Sequence, residues 1–226
     1  MKKSAILLDL DNTLYDYSNP HNKGINAIFI YCNKNFGLSK EDTLIAYNYA
    51  RKKVHIDLNE TAASHNRLLY IQKMLEFLKL PTFGHVLKLY DAYWNNFLDE
   101  MKLYDGVINF LEKYNGKICI VSDLTAHIQY RKINKLNISK YIHFIVTSEE
   151  AGSEKPHSYP FLLALNKLKL NSSDVTMIGD NFKKDIIGAL NMGIESYWIN
   201  KDLTKENYNN NLVNEVNSFK ELLKFL

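Results

Sequence analysis

Two acids two residues apart, Asp9 and Asp11, end the apolar run Ser4-Ala5-Ile6-Leu7-Leu8, where no structural need calls for a pair of carboxylates. In an extended backbone, side chains at i and i+2 share a face, so the two point the same way. Asn12 and Thr13 follow at once. Far downstream the run Val175-Thr176-Met177-Ile178 delivers Gly179-Asp180-Asn181, with Asp185 about one helical turn beyond. Lys117-Ile118-Cys119-Ile120-Val121 delivers Ser122 and Asp123, and Lys155-Pro156 comes several residues after a further apolar run. Crowded carboxylates repel one another unless a cation neutralises them. Mg²⁺ suits Asp9, Asp11, Asp180 and Asp185, because it takes a few carboxylates together with water and a phosphate oxygen. Lys155 adds a fixed positive charge, and Ser122 or Thr13 a neutral hydroxyl donor. Such a pocket fits a tetrahedral dianion beside a divalent metal, and the chemistry it favours is phosphoryl transfer by positioning and charge neutralisation.

Positioning these groups requires a particular frame. Short apolar runs that read as buried strands lie at 4–8, 117–121, 141–146, 175–178 and 195–199, with helical patterns at 107–114, 126–136, 159–170 and 185–192. The alternation predicts βαβ units, hence an α/β fold with a doubly wound parallel sheet. Ligands bind such sheets outside the carboxyl ends of the strands, the edge to which these runs carry their polar residues. Residues 16–102, 87 in number, show no strand pattern. They show helical spacing instead, as in Leu68, Leu69, Ile71, Leu75 and Leu78, then Val86, Leu87, Tyr90, Tyr93, Trp94 and Phe97. Gly37, Pro81 and Gly84 punctuate it, and Ser39 has the character of an N-cap. The reading is a core domain of residues 1–15 and 103–226 and an all-helical domain, 16–102, inserted after the first strand. Ser218 and Glu221 have capping-box spacing at the start of a terminal helix, 218–225, and the Asn-rich stretch 207–211 reads as a polar surface loop.

Composition excludes several classes. The chain has 226 residues, 46% hydrophobic and 23% charged, a globular balance. Its formal charge of +3 is too small to argue for nucleic acid. No apolar run approaches the ~18 residues of a membrane span, and the N-terminal run stops at Asp9 before a signal-peptide core develops. Cys32 and Cys119 give neither metal spacing nor a disulfide framework. The expectation is a cytoplasmic protein, monomeric or homodimeric, with no nucleic-acid or membrane partner.

The motifs together resemble the haloacid dehalogenase-like hydrolase superfamily, in its phosphatase type with a helical cap. Asp9-Leu10-Asp11-Asn12-Thr13 is similar to the first motif, DxDxT. Ser122 stands where the second motif has a strand-terminal Ser or Thr, Lys155-Pro156 resembles the third, and Gly179-Asp180 with Asp185 resembles the fourth, GDxxxxD. The resemblance implies that Asp9 is the nucleophile, forming an aspartyl-phosphate. Asp11 would protonate the leaving oxygen, then activate water, and touch the metal through its main-chain carbonyl. Asp180 would bind Mg²⁺ directly, and Asp185 through water or by orienting Lys155. Ser122, Lys155 and the amides of Asn12 and Asp123 would hold the phosphate. The insertion would be the cap; only 32 residues separate Ser122 from Lys155, too few for a second one.

Within the insertion, Arg67 is the candidate contact for a second anionic group on the substrate, whereas Tyr90, Tyr93, Trp94 and Phe97 read as core. The expected activity is a Mg²⁺-dependent phosphoric monoester hydrolase acting on a small phosphorylated metabolite, a nucleoside monophosphate or a sugar phosphate. A phosphosugar mutase would keep every motif. A haloacid dehalogenase would share Asp9, but relatives with that activity generally lack the second acid of the first motif, present here as Asp11. A response-regulator receiver would be far shorter.

Overall fold

A computed structural model describes residues 3–201, 206 and 210–225. It divides into two compact units, Met1–Asp16 with Lys102–Leu226, and Tyr17–Met101. The first is built on six parallel strands: β1 (Ala5–Leu8), β2 (Lys117–Ser122), β3 (Phe144–Thr147), β4 (Val175–Gly179), β5 (Glu195–Ile199) and β6 (Val213–Val216), in the order β3-β2-β1-β4-β5-β6. Helices α1 (Ser18–Phe36), α2 (Lys40–Asp57), α3 (Arg67–Phe77) and α4 (Val86–Glu100) form the second unit. Helices α5 (Val107–Lys113), α6 (Ala126–Lys135), α7 (Ser148–Ala151), α8 (Ser158–Leu168), α9 (Gly188–Leu190) and α10 (Phe219–Leu222) belong to the first.

The central strands are apolar apart from Thr176 because both faces are covered. Every residue of β1 and β4 is buried, which a parallel sheet flanked by helices demands. On one face Leu7, Cys119, Val121, Val146 and Met177 pack with Phe161, Ala164 and Leu168 of α8. Elsewhere Phe110 of α5 meets Phe219 of α10 edge to face at 5.3 Å.

Four elements depart from the sequence reading. The third strand begins at Phe144, not Tyr141, because it pairs only from Cys119 onward and Ser139–Tyr141 forms a 3-10 turn. The helix expected at 185–192 starts earlier and is wider, a π-helix over Phe182–Ile187 that runs into α9 and ends at Leu190. Strand β6 was not anticipated; its Asn214 and Glu215 break the apolar pattern, as an edge strand permits. The terminal helix is short. Ser218 caps it by accepting from Glu221 N, but the Glu221 carboxylate accepts from Asn217 N rather than closing the box on Ser218. Residues 207–209 of the Asn-rich stretch lie outside the described residues.

In the helical unit Ser39 caps α2, accepting from Asp42 N at 3.0 Å, and Gly37 ends α1 in the left-handed conformation. Tyr93, Trp94 and Phe97 are buried and pack on one another, so the aromatic stripe of α4 is core of this unit. Among the described residues no helix is long and apolar enough to cross a membrane.

The α1–α4 packing depends on Gly24, where a Cβ would sit 2.6 Å from Cδ2 and Cε2 of Tyr93. Gly24→Ala is expected to lower stability by about 1–3 kcal/mol through overpacking, measured as a lower urea midpoint. An unchanged midpoint would show that the Tyr93 ring is free to move aside.

Candidate active site

The site forms where the sheet changes direction. From β1 the chain builds outward through β2 and β3, then returns to place β4 on the other side of β1. The crevice at such a switch point is the ligand-binding position of open α/β sheets. Leu8 pairs with Ile178, and Asp9 N donates to Ile178 O at 3.0 Å. The residues that follow these two strands, Asp9 to Thr13 and Asp180, therefore emerge side by side.

Carboxylate oxygens of Asp9, Asp180 and Asp185 lie within 4.8 Å of one another. Lys155 Nζ donates to Asp9 Oδ1 and Asp185 Oδ1, both at 2.7 Å, and to Val121 O at 2.8 Å. Its three hydrogens are thus all engaged, and the ammonium is a fixed, buried charge. The Thr13 hydroxyl lies 2.8 Å from Asp9 Oδ2 and 2.9 Å from Asp180 Oδ1, and accepts from Asp180 N. Gly179 gives Asp185 room to reach back, because a Cβ there would stand 2.3 Å from Asp185 Oδ2. The π-helix after β4 completes the approach: Asp185 Oδ2 accepts from Asn181 N at 3.0 Å.

One lysine among three carboxylates leaves negative charge in excess. Burial pushes Asp9 up to about 7, with Lys155 opposing and Asp185 reinforcing the shift. Burial and then Asp9 push Asp180 up to about 6. Burial likewise raises Asp185, against the pull of Lys155. Three hard oxygen donors that resist ionising together are a fitting ligand set for a divalent cation, which would relieve the repulsion.

Asp11 is set apart from this cluster. Both of its oxygens accept from Lys132 Nζ at 2.7 Å, and Tyr15 Oη donates to Oδ1. Burial alone would raise its pKa, but the charge of Lys132, with hydrogen bonds from Lys132, Tyr15 and Gln129, holds it below the usual carboxylate range. Its side chain therefore does not join the cation cluster; of the four carboxyl groups expected there, three converge.

The other expected residues are placed as follows. Ser122, at the end of β2, accepts from Gln129 Nε2 at 2.6 Å. Asp123 is a scaffold partner through its side chain, accepting from Lys155 N at 3.0 Å and from Lys184 Nζ at 2.9 Å. Asn12 has φ 61, and its carbonyl accepts from Lys201. Arg67 belongs to the helical unit. It is 7% exposed, lies over the rings of Tyr17, Tyr70, Tyr93 and Trp94, and donates to His65 O and Tyr17 Oη. Sequence reasoning missed Lys132, Gln129 and Lys184. The available signal was a glutamine and a lysine within the apolar stripe of α6, where Ile128, Gln129, Lys132 and Ile133 are all buried.

The parallel sheet, its switch-point crevice and the flanking helices define the class, an α/β protein whose ligand position is the carboxyl edge of the sheet. The chain belongs to the haloacid dehalogenase-like hydrolase family, whose profile matches residues 6–199. It is 38% identical over 199 residues to ribulose-1,5-bisphosphate 5-phosphatase of Halopiger xanaduensis, covering 85% of this chain and 83% of that protein. It is 26% identical to pyrimidine 5'-nucleotidase YjjG of Escherichia coli, covering 88% and 87%. Its fold is similar to that of 2-haloacid dehalogenase from Pseudomonas syringae, with a TM-score of 0.78 at 20% identity over 99% and 97% of the two chains. The chain is a phosphoric monoester hydrolase.

Gly179→Ala should displace the Asp185 carboxylate and with it one of the acceptors of Lys155. Phosphatase activity is expected to fall by at least about tenfold, a 1.4 kcal/mol loss, while the far-ultraviolet circular dichroism stays unchanged. Wild-type activity in this variant would show that Asp185 has latitude to shift.

Proposed function

We propose that the chain is a Mg²⁺-dependent phosphatase that hydrolyses a small phosphorylated metabolite through an aspartyl-phosphate on Asp9. The observation that supports this most directly is the Lys155 bridge between Asp9 and Asp185 beside Asp180. Lys155 and Thr13 fix the plane of the Asp9 carboxylate. An Asp9 oxygen attacks phosphorus, the bond to the leaving oxygen breaks with its electron pair, and Asp11 gives that oxygen a proton. Water then attacks the phosphorus of the aspartyl-phosphate, its proton passes to Asp11, and the Asp9 oxygen leaves with its pair. Ser122 holds the phosphate oxygens in both halves with the Asn12 and Asp123 amides, and the Lys155 ammonium offsets their charge from where it is bonded. Mg²⁺, held by Asp9, Asp180, Asp185 and the Asp11 carbonyl, would offset the charge of the carboxylates and the phosphate. The two cysteines are buried free thiols, which suits the reducing cytoplasm.

The substrate class follows from Arg67. No carboxylate pairs with it among the described residues, and burial, then Arg67 and Arg51, pull neighbouring His21 down to about 4, so that imidazole is neutral. A buried guanidinium without an acidic partner suits an oxyanion. We infer that it takes a second anionic group, and the Halopiger relative, named for a bisphosphate, supports a phosphorylated sugar carrying two such groups.

Purified protein is expected to release phosphate from p-nitrophenyl phosphate with Mg²⁺ and to stop in EDTA. Asp9→Asn should lower release by at least about 10³-fold, since it removes the nucleophile. Full activity under either condition would overturn the mechanism, and conversion to an isomer without phosphate release would identify a mutase. Arg67→Met should raise KM for a sugar bisphosphate about tenfold or more (~1.4 kcal/mol) and leave KM for p-nitrophenyl phosphate near that of the wild type. Equal changes for both substrates would remove Arg67 from recognition.

A further inference from the structure

Strand β5 presents the site with a donor that none of the motifs supplies. Trp198 is 2% exposed and stands in register with Gly179, the last residue of β4. A buried indole N–H needs an acceptor, and Trp198 Nε1 donates to the main-chain oxygen of Asp180 at 2.8 Å. Asp180 lies one residue past the end of β4, where the chain leaves the ladder for the π-helix Phe182–Ile187. Its main chain is held on both sides at this exit. The N–H donates to Thr13 Oγ at 3.1 Å, and the carbonyl accepts from the indole. Phe182 packs on the same indole, with ring centroids 4.8 Å apart. Phenylalanine would meet the demand for burial at this strand position; the N–H is what tryptophan adds.

We propose that Trp198 is a positioning residue for the divalent-cation site: by fixing the Asp180 main chain, it keeps the Asp180 carboxylate in the cluster with Asp9 and Asp185. The proposal rests on the metal-dependent reading above. Groups that orient a ligand residue raise affinity for the ion, because the orientation is set before the ion arrives. Without the indole N–H the Asp180 carbonyl loses a buried donor, and the peptide after it gains freedom to rotate. Binding the ion must then restore that order. The indole acts on Asp180 through its main chain, so its effect falls on affinity for the cation.

The readout is the affinity of the substrate-free protein for Mn²⁺, with free Mn²⁺ counted by electron paramagnetic resonance and Mg²⁺ as the competitor. Trp198→Phe removes the N–H and keeps an aromatic ring. Its Kd for Mn²⁺ should rise about tenfold, the low end of what the outer partners of a metal site contribute. Phe182→Leu loosens packing on the same indole but keeps the N–H, and should hold Mn²⁺ with an affinity near that of the wild type. The wild-type protein supplies a second measurement, which stands alone if Trp198→Phe does not fold. Trp94 is the only other tryptophan, so a proton–nitrogen correlation spectrum carries two indole signals, assigned by Trp94→Phe. The Trp198 signal should shift as Mg²⁺ saturates the site. Equal Mn²⁺ affinity in wild type and Trp198→Phe, an equal loss in Phe182→Leu, or a Trp198 signal unmoved at saturating Mg²⁺ would overturn the role of Trp198 alone. Wild-type protein that binds neither ion would overturn the metal-dependent reading and this proposal with it.

Discussion

The ammonium group of Lys155, bonded at once to Asp9, Asp185 and a β2 carbonyl, is the interaction on which the carboxyl edge of the sheet depends. Two buried like charges about 4 Å apart repel by about 4 kcal/mol at an effective dielectric of 20, and here three carboxylates share one crevice. The lysine brings two of them together, and the carboxylates in turn make its own burial tolerable. The participating groups come from the ends of β1, β2 and β4 and from the segment before α8, so no local element can assemble them. The strand register does, by placing Asp9 against Ile178 and hence next to Asp180. Gly179 contributes by lacking a side chain where Asp185 must pass.

A second ion pair makes the two acids of the first motif unlike. Asp9 is raised to about 7 because burial and Asp185 outweigh Lys155, whereas Lys132, Tyr15 and Gln129 overcome burial at Asp11 and lower it. Groups two residues apart on one loop thus differ in affinity for a proton, at about 1.4 kcal/mol per unit of pKa. The agent of the difference is α6, an element with no residue in any of the four motifs.

This explains how much of the site was legible in the sequence. Asp9, Thr13, Asp180, Asp185 and Lys155 announce themselves because each follows an apolar run that can only be a buried strand or lies a short step beyond one. Periodicity places such residues at the sheet's carboxyl edge without any knowledge of distant contacts. Lys132 and Gln129 give no such announcement, since a lysine on a helix is ordinarily solvated and only the tertiary contact with Asp11 buries it. Asp123 was expected to serve through its amide. Its carboxylate proves to brace Lys155 N and Lys184, a use that depends on a residue 61 positions away. The expected helix is π-helical over Phe182–Ile187 for a related reason. The carboxylate of Asp185 is held at both oxygens, by Lys155 and by Asn181 N, and those bonds accompany the wider winding of the segment.

The helical unit poses the complementary problem, a buried cation where the sheet has buried anions. Desolvating a guanidinium is unfavourable, and a carboxylate is the usual compensation. Arg67 instead lies 5.3 to 5.9 Å from the centroids of four aromatic rings, whose faces attract a cation by on the order of 0.5–2 kcal/mol each. Aromatic faces stabilise the charge without cancelling it, as a carboxylate would. His21, neutral and bonded to Tyr93 Oη at 2.7 Å, does not cancel it either. The positive potential therefore persists around Arg67, and Tyr47 Oη, buried there without a hydrogen-bond partner, is a further unused polar group. A fold that needed only apolar packing at this point would be served better by leucine or methionine. An uncancelled buried charge supported by aromatic faces is the physical feature of the helical unit from which the proposed role of Arg67 toward an anionic group is argued.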